Sequence, residues 1–181
     1  MSRIQLVDPA ATTPNRQALL EQINRAFGAT PNMFKAVANS PAALKSMWGS
    51  FGALSNGVLG AKLGEQIAVA IADRNGCEYC LAAHTVLGKG AGVSEADMAS
   101  AQAGRSSDPR TAAALGFALK VVSDRGQVSS HDIAALRAAG FDDEHIVEIL
   151  AHVALNLFTN YVNVAFDVPV DFPKVALRAA S

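Results

Sequence analysis

Six consecutive residues, Ile67-Ala68-Val69-Ala70-Ile71-Ala72, are apolar whichever way a helix is turned, within a helical segment running from Gly60 to Arg74. A helix without a polar face has to be enclosed by neighbours. The rest of the chain supplies those neighbours as further helices, because apolar residues recur at helical spacing and alternating runs with hairpin-type turn signals are scarce. At 181 residues the chain is long enough for one well-buried core. The expectation is an all-α bundle forming a single domain over residues 1–181.

Prolines and glycines punctuate it. A first amphipathic helix runs from Thr13 to Phe27, with Thr13-Pro14 as cap and first-turn proline, Leu19, Leu20, Ile23 and Phe27 on one face, and Gly28 as its stop. Thr30-Pro31 opens a short helix through Val37. Ser40-Pro41 opens another that carries Leu44, Met47, Trp48, Phe51 and Leu54 to a stop at Asn56-Gly57. Asn75-Gly76 ends the Gly60 helix, and the chain restarts at Cys77 toward Gly88 or Gly90. Helices are then expected over Ser94 to Ala103, Asp108 to Ser123, Ser129 or Ser130 to Ala139, and Asp142 to Ala165. From Val168, with Pro169 and Pro173, the tail reads as extended, packing on a neighbour or fraying.

Half the residues are apolar and 17% are charged, which is a globular composition. Net charge is −1 with the basic residues scattered, so no positive stripe exists for a nucleic acid. Met1 to Pro14 lacks the basic flank and apolar stretch of a secretory signal, and no uninterrupted apolar run approaches the roughly 20 residues of a bilayer span. The chain reads as cytoplasmic, with no membrane partner. Its apolar surfaces around Trp48 and Phe158 exceed what one small bundle needs and point to a homo-oligomer.

Both cysteines of the chain lie in Cys77-Glu78-Tyr79-Cys80, with His84 four residues beyond the second. In a reducing compartment such a pair is redox-active or metal-binding more often than a permanent staple, and so short a loop adds little chain-entropy stabilisation. On a helix, Cys80 lies about 300° and His84 about 340° around from Cys77, a stripe about 60° wide. Cα atoms at i and i+3 are within disulfide reach. Cys77 stands at the helix N-terminus, where unpaired N–H groups favour a thiolate. His84 can take the Cys80 proton or stabilise its thiolate as imidazolium. Glu65, at the edge of the enclosed helix, is a candidate proton carrier whose contact with His84 would be tertiary.

Glu65, eleven residues, Cys77-Glu78-Tyr79-Cys80, three residues and His84 together resemble the signature of the AhpD-like alkylhydroperoxidases of the carboxymuconolactone decarboxylase superfamily. The motif spans about 20 residues, and the wider likeness runs from Pro31 to Phe166. The resemblance implies an AhpD-like helical bundle assembled as trimers or hexamers, with the CxxC at the N-terminal end of a core helix. It also implies roles: Cys80 is oxidised by peroxide, Cys77 resolves the product and meets the reductant, and His84 with Glu65 relays protons. Tyr79 is the departure. The best-described long members carry a histidine there, and a phenol is no base near neutral pH. Tyr79 stays among the candidate residues. Decarboxylases of the superfamily are expected to lack the cysteine pair, which argues against that activity.

The expected activity is a thiol-dependent peroxidase acting on alkyl or hydrogen peroxide, restored by an external dithiol such as a dihydrolipoyl adaptor protein and calling for no metal or organic cofactor. Two alternatives accompany it: a dithiol–disulfide oxidoreductase acting on protein disulfides, and a non-enzymatic oligomeric module in which the thiolates, His84 and a carboxylate hold a structural zinc. His131, His145 and His152 show no ligand spacing, and His152 reads as a hydrogen-bonded interface or core histidine. An internal echo also stands out. Glu144, Asn156, Thr159 and Asn163 repeat the spacing of Glu65, Cys77, Cys80 and His84, as a duplicated helix pair or chance would produce.

Overall fold

Enclosure is what the apolar segment receives. In the computed structural model, which describes residues 2–178, α4 (Gly60–Arg74) packs against α5 (Glu78–Gly90), α6 (Glu95–Gln102), α7 (Pro109–Ser123) and α9 (Asp143–Phe166). Ile67, Val69, Ile71 and Ala72 are wholly buried, each large aliphatic side chain contributing about 1.5–3 kcal/mol by leaving water. Around this axis lie α1 (Pro14–Phe27), α2 (Asn32–Val37), α3 (Pro41–Leu54) and α8 (Ser130–Ala138). No strand occurs among the described residues. The all-α expectation holds for them; Met1 and the last three positions of the 1–181 span lie outside.

Local capping chemistry sets most helix starts. Ser40, Ser94, Asp108, Ser129 and Asp142 each accept from the backbone N–H three residues on, and Ser129 with Asp132 forms a full capping box. Thr13 does not follow this rule, since its side chain makes no cap bond and Pro14 alone opens α1. The short helix likewise begins one residue past Pro31, at Asn32. α4 has no cap of its own either. Glu148, on α9, accepts from Val58 and Leu59 N–H at 2.8 and 3.0 Å and closes that end from across the fold.

The α4–α5 break places the cysteines. Gly76 takes φ +65°, a left-handed conformation that a side chain disfavours, and turns the chain back so that α5 lies along α4. Asn75 Nδ2 donates to Asn160 Oδ1 of α9 at 3.0 Å, pinning the turn to the last helix.

By length and composition α9 could cross a bilayer. Here it packs on α2, α3, α4, α5 and α7, and buried Asn156, Thr159, Asn160 and Asn163 mark its inner side. It is the long core helix of the bundle. Its outer side leaves Val147, Leu150, Phe158, Tyr161 and Val164 exposed.

Trp48 takes part in this chain's own packing: its ring meets Phe34 edge-on at 5.8 Å and its indole N–H donates to Gln22 at 3.3 Å. The tail is extended from Val168 to Arg178, but it straps onto its own chain instead of a neighbour. Asn32 N–H donates to Asp171 at 2.8 Å, Phe172 stands edge-on to Tyr79 at 5.6 Å, and Arg178 Nε donates to Asp73 at 2.9 Å.

Candidate active site

Cys77 is the N-cap of α5, and its sulfur accepts from Cys80 N–H at 3.2 Å, so the helix end directs one N–H at the first sulfur. Cys80 lies in the first turn. The two are paired as a disulfide with Cα atoms 5.4 Å apart, within the ordinary range of such bonds. Both are nearly sealed, at 1% and 2% exposure, so anything reaching the sulfurs must come through cavities.

One turn further along α5, His84 is also buried, and its Nδ1 stands 2.8 Å from Glu65 Oε2. The tertiary contact that spacing alone could not establish is therefore made. An ionised carboxylate can only accept, so across this contact Nδ1–H is the donor and Nε2 is the ring nitrogen turned away from Glu65.

The two sulfurs border different spaces. Cys80 lines a pocket of about 30 Å³, walled by Phe27, Met33, Phe34, Phe51, Leu87 and Phe172 and shared with His84. That volume takes little more than a water-sized group in this closed state. On the other side of His84 a cavity of about 140 Å³ is lined by Glu65, His152, Asn156 and Thr159 over an apolar floor of Phe51, Leu54 and Leu155. Cys77 instead borders an open cleft of about 410 Å³ with Glu78, Asn163, Asp167 and Val168.

Tyr79 turns to another task. Its hydroxyl accepts from Met33 N–H at 3.2 Å, and burial, reinforced by Asp171, pushes its pKa far up, so it stays a neutral phenol tying α2 and the tail strap to α5. Glu65, Cys77, Cys80 and His84 come together; Tyr79 sits beside them with its hydroxyl engaged elsewhere.

α9 supplies residues outside the expected site set. His152 lines the cavity with Glu65 and His84, and its Nε2 is buried without a partner. Burial lowers its pKa despite the opposing pull of Glu148 and Glu65, with His84 adding to the lowering. A Cβ on Gly64 would press within 3.0 Å of the ring, so the glycine makes room for it. Asn163 Nδ2 donates to Cys80 Sγ at 3.2 Å. The echo in spacing does not mark a duplicated pair, because Glu144 to Asn163 lie on one unbroken helix and Glu144 is exposed, whereas Glu65 and Cys77 straddle a turn. Among the described residues no three His, Cys, Asp or Glu side chains are grouped to hold a metal ion.

The carboxymuconolactone decarboxylase family pattern matches residues 41–124. A peroxidase-related protein from Ralstonia eutropha JMP134, described as an alkylhydroperoxidase AhpD core, is 26% identical, with 94% of this chain and 92% of that chain covered and a TM-score of 0.86. A peroxidase-related protein from Silicibacter sp. TM1040 is 25% identical over 97% of this chain and 92% of that one, with a TM-score of 0.79. The debrominase Bmp8, in complex with 2,3,4-tribromopyrrole, is 21% identical over 94% of each chain with a TM-score of 0.78, a likeness of fold. No curated protein matches the chain in sequence.

Proposed function

We propose that this chain, which belongs to the carboxymuconolactone decarboxylase superfamily as an AhpD-like member, is a thiol-dependent peroxidase that cycles Cys77 and Cys80 between dithiol and disulfide. The observation that carries it is the disulfide at the α5 N-terminus, one helical turn from an imidazole held at 2.8 Å by a carboxylate.

In the reduced protein His84 Nε2 takes the Cys80 proton, and Glu65 steadies the resulting imidazolium through Nδ1. The Cys80 thiolate attacks the outer oxygen of the hydroperoxide. An S–O bond forms, the O–O bond breaks, and the departing alkoxide takes the proton from His84 to leave as alcohol. Cys77 then attacks the Cys80 sulfenic acid; the S–S bond forms, the S–O bond breaks, and water leaves with the Cys77 proton. An external dithiol, a dihydrolipoyl adaptor being the natural class, returns two electrons and two protons and is itself oxidised to a disulfide. The closed apolar pocket at Cys80 and the open cleft at Cys77 support this division, since peroxide is small and a dithiol carrier needs room.

The same proposal places the protein in the cytoplasm, where reducing dithiols are maintained, as a hexamer or trimer. The outer side of α9 supports assembly: Val147 and Tyr161, at 66% and 59% exposure, are large apolar groups left to solvent by a single chain.

The test compares consumption of an alkyl hydroperoxide with reduction of a small disulfide, each supplied with a dihydrolipoyl donor. Faster hydroperoxide consumption is expected. Disulfide reduction with no hydroperoxide turnover would assign the protein to the dithiol–disulfide oxidoreductases instead.

A further inference from the structure

We infer that Asn163 is a further catalytic residue of this site, a neutral donor that touches the Cys80 sulfur and favours its thiolate form. The inference rests on the thiol reading above and adds to it a residue outside the Glu65–Cys77–Cys80–His84 set.

His152, Asn156, Thr159 and Asn163 follow one another at helical spacing along the side of α9 that faces the site. Two of them spend their donors locally: Asn156 Nδ2 donates to the His152 carbonyl at 2.9 Å, and Thr159 Oγ1 donates to the Asn156 carbonyl at 3.1 Å. Asn163 behaves differently. Its amide crosses to α5, and its partner is the Cys80 sulfur at 3.2 Å. It is 4% exposed, and its Oδ1 is buried with nothing to accept from.

Such an arrangement is costly. A buried amide with an unpartnered oxygen loses hydration that an apolar side chain of the same shape would never have had. A disulfide sulfur is only a weak acceptor, so the oxidised state gives little back. A thiolate is an ionised acceptor, and hydrogen bonds to ionised groups are about twice as strong as neutral ones. The Asn163 donor therefore gains most when Cys80 is reduced and deprotonated. No lysine or arginine lines the inner pocket, the cavity or the outer cleft among the described residues. The negative charge on sulfur has to be met by the α5 N-terminus, His84 and this amide. The two sulfurs then receive one N–H each, Cys77 from the backbone of Cys80 and Cys80 from Asn163.

The experiment titrates Cys80 alone, in a Cys77→Ser background, through the ultraviolet absorbance of its thiolate, with Asn163 kept or changed to Leu. The pH at which half of Cys80 is thiolate should rise by about one to two with Asn163→Leu. An unchanged titration in a variant that melts like its parent overturns the inference. A second measurement needs no change at Asn163: in isotope-labelled protein the Asn163 side-chain amide resonances should shift on reduction and then titrate with Cys80. Resonances indifferent to both overturn it too, whatever the fate of the Leu variant. No peroxide enters either measurement, so a failure here is distinct from a failure of the peroxidase proposal, which would appear as normal titration without hydroperoxide consumption.

Discussion

The two sulfurs of one short loop have opposite surroundings. Cys80 faces a closed pocket walled by aromatic and aliphatic side chains and bordered by His84, while Cys77 faces an open, more polar cleft beside Glu78 and Asp167. Only Glu78 and Tyr79 stand between them, and their side-chain chemistry is identical. The difference lies in which neighbouring helix covers each: α2, α3 and the tail strap close over Cys80, whereas the cleft at Cys77 opens where α9 ends at Phe166. What distinguishes these two like residues is thus the space each one borders.

The sharpest way to break the contrast is to exchange the fates of the sulfurs. Cys80→Ser is expected to reduce hydroperoxide turnover to the uncatalysed rate. Cys77→Ser should still consume one equivalent and stop at a Cys80 sulfenic acid, seen as a single added oxygen by intact mass. If Cys80→Ser keeps its turnover, or if Cys80→Ser gains the single oxygen while Cys77→Ser gains none, the assignment of inner and outer roles is overturned.

A smaller effect is expected at the shared wall of the inner pocket. His84→Gln leaves the pocket filled but removes the base, and the single-turnover oxidation rate at neutral pH should fall by about 10²-fold or more, with partial recovery as rising pH ionises Cys80 directly. A flat pH response would remove His84 from proton transfer.

The smallest effect concerns the cavity behind His84. Burial holds His152 below the ordinary histidine value, so as pH falls the unfolded chain binds this proton before the folded one does. Stability is therefore lost on acidification from about pH 6.5 down through the folded-state value. His152→Asn should flatten part of that decline, read as melting temperature between about pH 7 and about pH 5. An unaltered pH slope would show that the imidazole is not held neutral.

Much of the fold was legible because the signals are local. Pro14, Pro41 and Pro109 sit at first-turn positions, and Ser40, Ser94, Asp108, Ser129 and Asp142 cap within three residues of themselves. Where closure came from a distance, spacing had nothing to report. Glu148 caps α4 from 90 residues away, and Asp171 and Phe172 fold back to Asn32 and Tyr79. The site divides in the same way. Cys77, Cys80 and His84 share one helix face by periodicity, while His152 and Asn163 bear on it only because α9 packs along α4 and α5.

The amino-acid order by itself determined that Ile67–Ala72 must be surrounded, where the helices begin and end, and that two thiols and an imidazole share one stripe, since each follows from contacts within a turn or two of helix. Only the packed molecule decided that Glu65 reaches His84, that Tyr79 accepts from Met33 of α2, and that an amide from α9 meets Cys80. Those contacts join residues 19, 46 and 83 positions apart. At such separations the meeting of two side chains depends on how whole helices cross, and one-dimensional periodicity carries no information about crossing.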